Sequence, residues 1–240
     1  MARAGLVLVH GASHAGDCWD LTIEALDALA PDLPVLAVDL PGRRSNPGDL
    51  DTLTIEQCVE SVVEQINRAG FDEVVVVGHS MAGIVVPGVV SRLGADRVKR
   101  LVLLAACVPP DGGTVLDTLN GPLRRLVSRA ARRSGSSPPL RGAVLWFCNG
   151  MSSQQKDFVR SRLCADSTRL AVQPVDRSAF PREVPLTWLL TLKDRAQRPS
   201  AQRRYIDNLG GVEEVIEVDT CHDAMVSEPR LLATLLAARC

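Results

Sequence analysis

The chain has 240 residues, 46% of them hydrophobic and 23% charged, which excludes a disordered chain, a fibrous repeat and a disulfide-stapled mini-protein. A length within the roughly 200 to 250 residues that one α/β unit often reaches predicts a single domain over 1–240. With 27 basic and 28 acidic side chains the net charge is −1, so no positive excess advertises nucleic acid or an anionic membrane, and a small molecule is the expected partner.

Residues 1–5 pass directly into the apolar run 6–9, which is too brief for a signal h-region and has no cleavage site, so export is not expected. No apolar run approaches the ~20 residues that cross a bilayer. Strand-sized, β-branched runs at 6–10, 35–39, 73–79, 100–107, 186–192 and 213–219 alternate with segments of helical periodicity at 21–30, 55–69, 80–93, 201–209 and 229–238. That alternation predicts an α/β fold, a mainly parallel sheet of about six strands flanked by helices. The strands are apolar almost throughout, as when helices cover both faces.

Between about 109 and 184 the alternation stops, and Pro, Gly, Ser and Arg become dense. A structureless loop of about 75 residues is improbable in a compact domain, so an inserted small helical cap is predicted over the sheet's C-terminal edge. Its expected pieces are a helix at 122–133 bearing Arg124, Arg125, Arg129, Arg132 and Arg133, a break at 134–139, and a helix at 152–163 opened by a serine N-cap. The arginine cluster reads first as a solvated helix face and second as a surface for an anionic substrate or an acidic carrier protein. Seven cysteines at 18, 58, 107, 148, 164, 221 and 240 form an odd set with no CxxC pair and no histidine at zinc spacing. They read as reduced thiols of a cytoplasmic protein, and no metal or cofactor site is predicted.

The chemistry concentrates where the valine run 74–77 meets Gly78-His79-Ser80-Met81-Ala82-Gly83. A strand running into a serine flanked by small residues, then a helix, is a nucleophile elbow, and the turn is so tight that positions two residues either side of the serine must be small. Gly78 and Ala82 meet that demand, although Ala82 departs from the stricter G-x-S-x-G pattern. The Met81 amide, at the start of the helix, is a candidate oxyanion donor.

A serine hydroxyl needs a base, and the base needs an orienting group. Of the four histidines, His222 follows the last strand in a loop before the final helix and is the candidate base; His79 precedes the nucleophile, pointing to the other side of the elbow, and His10 and His14 lie at the exit of the first strand. Asp194, in the loop after the 186–192 strand, is the candidate acid, with Asp111 as its rival; Asp39, Asp219 and Asp223 read as loop or capping carboxylates. The loop His10-Gly11-Ala12-Ser13-His14 supplies the second candidate oxyanion donor, the Ala12 amide, with His10 tying the loop together. Ser13, His14, Trp146 and Phe158 are candidate pocket residues, although Trp146, Phe147, Met151 and Phe158 fit a packing role equally well. Gly78 and Gly83 make no dinucleotide site, because G-x-G-x-x-G and a distal ribose-binding acid are missing.

Taken together, these segments resemble the α/β-hydrolase superfamily over essentially the whole chain outside the cap. The loop 10–14 with Cys18-Trp19, the elbow 78–83, and Asp194 with His222 look like its small esterase and hydroxynitrile-lyase branch, which includes plant methyl esterases. The resemblance implies Ser80 as nucleophile, His222 as base, Asp194 as acid, and backbone donors at Ala12 and Met81. Asp17 stands where that branch commonly has an aromatic residue. Lyases similar to this branch carry Thr and Lys where this chain has Gly11 and Asp223, so hydrolysis of a small, largely apolar ester or lactone is expected. A lyase or cyclase on the same fold, or a ligand sensor that retains the triad, are the rival readings.

Overall fold

A computed structural model describes residues 4–119, 121–139 and 142–240; residues 1–3, part of the stretch scanned for a leader, lie outside them. The strands are β1 (Gly5–Val9), β2 (Val35–Val38), β3 (Val74–His79), β4 (Val98–Leu104), β5 (Ser136–Ser137), β6 (Asp166–Ser167), β7 (Leu186–Thr191) and β8 (Glu214–Val218). Six of them pair in parallel in the order β2-β1-β3-β4-β7-β8, and β5 pairs antiparallel with β6 as a separate ribbon. The helices are α1 (Asp20–Leu29), α2 (Ile55–Arg68), α3 (Val86–Leu93), α4 (Val115–Thr118), α5 (Gly121–Arg133), α6 (Ala143–Phe147), α7 (Ser153–Arg162), α8 (Pro199–Asn208), α9 (Ala224–Ser227) and α10 (Pro229–Ala237).

Both faces of the central strands are covered, which is why those strands are apolar at consecutive positions. Val7, Val9, Val74, Val76, Leu101, Leu103, Trp188 and Leu190 point into one core cluster with Val59, Val62 and Ile66 of α2 and Val89 and Val90 of α3. Their neighbours Leu6, Leu8, Val75, Val77, Val102, Leu104 and Leu189 point into a second cluster with Leu26 of α1 and Leu232 and Leu236 of α10. Period-two alternation therefore divides the central strands β1, β3, β4 and β7 between two cores. Register pairs Val9 with Gly78, His79 with Leu104, and Thr191 with Val218, so the loops after β1, β3, β7 and β8 leave the sheet at the same edge.

Local signals set the helix starts. Thr54 and Ser152 cap α2 and α7, each in a reciprocal capping box with a glutamine three residues on, Gln57 and Gln155. Two predicted boundaries differ from the structure. The predicted strand 100–107 ends at Leu104; Ala105 takes φ +45°, and the Cys107 amide donates to the Ser80 carbonyl at 2.8 Å instead of extending the ladder. The predicted helix 80–93 opens as a 3-10 turn, Ser80–Ile84, and becomes α-helical only at Val86, one residue before Pro87. Within 109–184 the helices α5 and α7 lie where the periodicity placed them, while α4, α6 and the β5–β6 ribbon carry no sequence signal strong enough to predict. Among the described residues no helix is long and apolar enough to cross a membrane.

Candidate active site

Ser80 sits at the end of β3 with φ +51°, the left-handed region that disfavours a β-carbon. The turn closes because its neighbours lack side chains. A Cβ on Gly78 would stand 2.7 Å from Val86 Cγ2, and one on Gly83 would stand 2.4 Å from the Cys107 carbonyl oxygen. The requirement at Gly83, which the spacing rule does not include, comes from the backbone of 105–107 passing over the elbow.

His222, in the loop after β8, spans the gap between serine and carboxylate. Its Nε2 lies 2.9 Å from Ser80 Oγ and its Nδ1 lies 2.7 Å from Asp194 Oδ2. Asp194 is fixed in turn: Oδ2 also accepts from the Thr191 hydroxyl at 2.9 Å, and Oδ1 accepts from the amides of Ala196 and Gln197 at 2.8 and 2.7 Å. An ionised carboxylate only accepts, so Nδ1 carries the ring proton and Nε2 presents its lone pair to the serine hydroxyl. Burial presses the His222 pKa down, but the adjacent Asp194 charge and hydrogen bond outweigh it and hold the group above its ordinary value. The rival acid Asp111 is occupied elsewhere, accepting from the Arg177 amide at 2.8 Å.

The loop after β1 presses against the elbow: a Cβ on Gly11 would meet Ser80 Cβ at 2.8 Å, so only glycine fits there. Ser13 has φ +60°, and its amide donates to Asp166 Oδ2 at 2.6 Å; among the described residues no partner takes the Ala12 amide. His10 ties the loop as expected. Its Nδ1–H donates to the Gly11 carbonyl at 2.9 Å and its Nε2 accepts from the Leu40 amide at 3.1 Å. Burial, reinforced by the Arg43 charge, lowers its pKa to about 3, so it is neutral.

The remaining expected site residues fall at different depths. Met81 is the second residue of the 3-10 turn, directly after Ser80. Trp146 on α6 is 53% exposed, and Phe158 on α7 lies under the Arg162 guanidinium, 3.6 Å from its ring centre. The aromatic ring that reaches the candidate base is Phe147, 4.9 Å from His222 between ring centres and 5.8 Å from His14. Ser13 and His14 are both buried. Asp39 and Asp219 behave as expected, Asp39 accepting from the Gly16 and Ser45 amides and Asp219 pairing with Lys193 at the surface.

Asp223 is only half described by the capping reading. Its carbonyl accepts from the Val226 and Ser227 amides at the start of α9, but its carboxylate is fully buried, with Oδ2 3.2 Å from His14 Nε2 and 3.9 Å from Cys148 Sγ. His79 is also fully buried beneath His222: its Nε2–H donates to the His222 carbonyl at 3.2 Å, with ring centres 4.7 Å apart. Ligand atoms of His79, His222 and Asp223 lie within 4.8 Å of one another. Both His222 nitrogens are already engaged by Ser80 and Asp194, and the donor set therefore serves a hydrogen-bond network.

A strained serine, a buried imidazole and an oriented carboxylate at one sheet edge agree with the match of residues 6–235 to the model of the alpha/beta hydrolase family. The chain belongs to the alpha/beta hydrolase family. It is 28% identical to the probable esterase PIR7A of Oryza sativa, over 96% of this chain and 94% of the rice protein. A carbendazim hydrolyzing esterase of Nocardioides sp. strain SG-4G is 34% identical over 48% of this chain, and that match spans 47% of the Nocardioides protein. Among solved structures, an extracellular alpha/beta-hydrolase from a Paenibacillus species superposes with a TM-score of 0.83 at 24% identity, covering 99% of both chains. At that identity the structural likeness speaks for the fold.

Proposed function

We propose that this alpha/beta hydrolase is a cofactor-independent serine esterase that cleaves a small, largely apolar carboxylic ester or lactone through an acyl-enzyme. The observation that carries this reading is the continuous relay Ser80–His222–Asp194, at 2.9 and 2.7 Å, seated on the elbow. Esterase names among its relatives support ester hydrolysis in general terms.

In this mechanism Ser80 Oγ attacks the ester carbonyl as its proton moves to His222 Nε2, and Asp194 stabilises the resulting imidazolium. The Ala12 and Met81 amides donate to the oxyanion of the tetrahedral intermediate. His222 then protonates the departing alkoxide, and the alcohol leaves. Water, deprotonated by the same nitrogen, attacks the acyl carbonyl, releasing the carboxylate and returning the proton to Ser80. Gly11 and Asp223 stand where lyases similar to this branch carry Thr and Lys, so the lysine that would stabilise a departing cyanide is replaced here by a carboxylate bonded to His14, which favours hydrolysis over cyanohydrin cleavage. In this reading the segment 109–184 caps the site, and Phe147 brings it to the imidazole. The buried free thiols of Cys18, Cys58, Cys107, Cys148 and Cys221 fit a reducing, cytoplasmic setting.

Turnover of p-nitrophenyl and lactone substrates in ¹⁸O-labelled water tests the proposal. Label is expected in the released carboxylate, and a fluorophosphonate is expected to modify Ser80, with Ser80→Ala lowering turnover by ~10³-fold or more. Consumption of substrate with no solvent oxygen in any product would replace hydrolysis by elimination or cyclisation.

A further inference from the structure

Directly behind the relay lies a second histidine–carboxylate pair that the acyl-transfer steps leave unused. His14 is 2% exposed, and both of its ring nitrogens face acceptors: Nδ1 is 2.8 Å from the Ala12 carbonyl oxygen and Nε2 is 3.2 Å from Asp223 Oδ2. A neutral imidazole has one N–H and one lone pair, so it would set that lone pair against one of these oxygens; only the imidazolium donates to both. His10, four residues earlier, faces one donor and one acceptor and is neutral. The contrast is one of partners, because both rings are buried.

The surroundings are consistent with a charged pair. Burial opposes a charge on His14, but the Asp223 carboxylate outweighs it and raises the His14 pKa; burial likewise opposes ionisation of Asp223, while His14 and then His79 hold it below its ordinary value. His79 stands edge-on to His14 at 6.0 Å and has Nε2 3.9 Å from Asp223 Oδ1; Arg43 Nε donates to the His14 carbonyl at 2.7 Å, and the Cys164 thiol donates to the same oxygen. Asp166, bonded to Arg43, adds a second negative charge on the β6 side; Cys18, Cys148, Cys221 and His222 feel the Asp223 charge, and His10 feels that of His14.

What the pair connects gives it a role. Ala12 offers its carbonyl to His14 and its amide to the proposed oxyanion, and Asp223 is the residue after His222, so one buried bond joins two loops 209 positions apart in sequence. Resting on the serine-hydrolase reading above, we propose that His14 and Asp223 form a buried imidazolium–carboxylate pair that holds the Ala12 oxyanion donor in register with His222 across the catalytic serine. They are positioning residues, and neither touches the reacting atoms. Asp223→Asn no longer sustains the cation, so the charge-assisted bond that ties the two loops is replaced by a weaker neutral one. His14→Gln cannot reach both partners at once.

Two measurements test this. ¹⁵N NMR of histidine-labelled full-length protein reads His14 directly: at pH 6.5, where a free imidazole is half neutral, both nitrogens should be protonated in the wild type and one in Asp223→Asn. A neutral His14 tautomer in the wild type overturns the proposal whatever the enzyme does, and it leaves the serine-hydrolase reading intact. Kinetically, Asp223→Asn and His14→Gln should each lower kcat by about 10- to 100-fold with KM within about threefold. The double variant should be no worse than the worse single, because both remove one coupled unit. Independent, multiplying losses, or losses in KM with kcat unchanged, overturn it. Where one variant fails to fold, the other and the wild-type spectrum still decide. If fluorophosphonate leaves wild-type Ser80 unmodified, the hydrolase reading fails instead, while the NMR result still stands for the ion pair.

Discussion

Ser80 keeps φ +51° because the residues around it leave no better place for the chain, and the tightest of those contacts is at Gly83. A methyl at Gly83 would have to displace the Cys107 carbonyl, and the Cys107 amide is what holds the Ser80 carbonyl at 2.8 Å. Gly83→Ala is therefore expected to lower Tm by several degrees and p-nitrophenyl acetate turnover by at least about tenfold. Ala82→Gly should cost far less; a Gly83→Ala protein as stable and active as wild type would show that the elbow does not depend on this contact. At His222 the same scale of argument gives a pH profile. In the proposed mechanism His222 must be neutral to accept the serine proton, and Asp194 holds its pKa above 6.5, so the acid limb of kcat/KM should have its midpoint above that value. Asp194→Asn removes the raising charge and leaves burial, so kcat should fall by up to ~10⁴-fold and the limb should move to lower pH. Asp111→Asn should move neither, because the Asp111 carboxylate accepts from the Arg177 amide instead of the ring; a shift there with Asp194→Asn silent would transfer the orienting role.

Elements divide by how local their causes are. All six strands of the main sheet lie close to where consecutive apolar residues predict them, because a two-sided core writes itself into one run of sequence. The relay residues were legible for a related reason, since each occupies the exit of a strand whose place in the sheet fixes the loop's position. Contacts across sequence left no such trace. Asp223 looks like a turn residue until β1 and β8 deliver His14 to it, and Ala105–Cys107 reads as strand until the elbow claims the Cys107 amide. Among the aromatic residues of α6, composition alone could not choose between Trp146 and Phe147, because a five-residue helix has no reliable periodicity; the structure turns Phe147 inward and leaves Trp146 half exposed. Phe147→Ala should thus change the ratio of kcat/KM between short and long acyl esters, while Trp146→Ala changes it by less than about twofold. Equal losses on every ester with Phe147→Ala would assign that ring to folding rather than to substrate selection.

At the scale of the whole molecule, all four histidines are buried near the sheet edge that carries the site, so the response to acid begins there. They act with opposite signs. His14 and His222 have raised pKa values, and the stability they add is present below about pH 6.5 and is lost as pH rises through their folded values. His10 and His79 have lowered values, burial being the first cause in each; the unfolded chain binds their protons from about pH 6.5 downward while the native fold refuses them, for His10 until about pH 3. Their contribution is complete above pH 6.5 and is withdrawn as pH falls. His10→Asn keeps an oxygen that can accept from the Leu40 amide and removes the titration. Urea unfolding between pH 4.5 and 6 should show wild-type stability falling with acid more steeply than that of His10→Asn, by up to about 1.4 kcal/mol per pH unit, the value of one proton. Parallel slopes in the two proteins would mean that His10 takes up its proton in the folded state, and that the hydrogen bonds of the 10–14 loop rearrange to admit it.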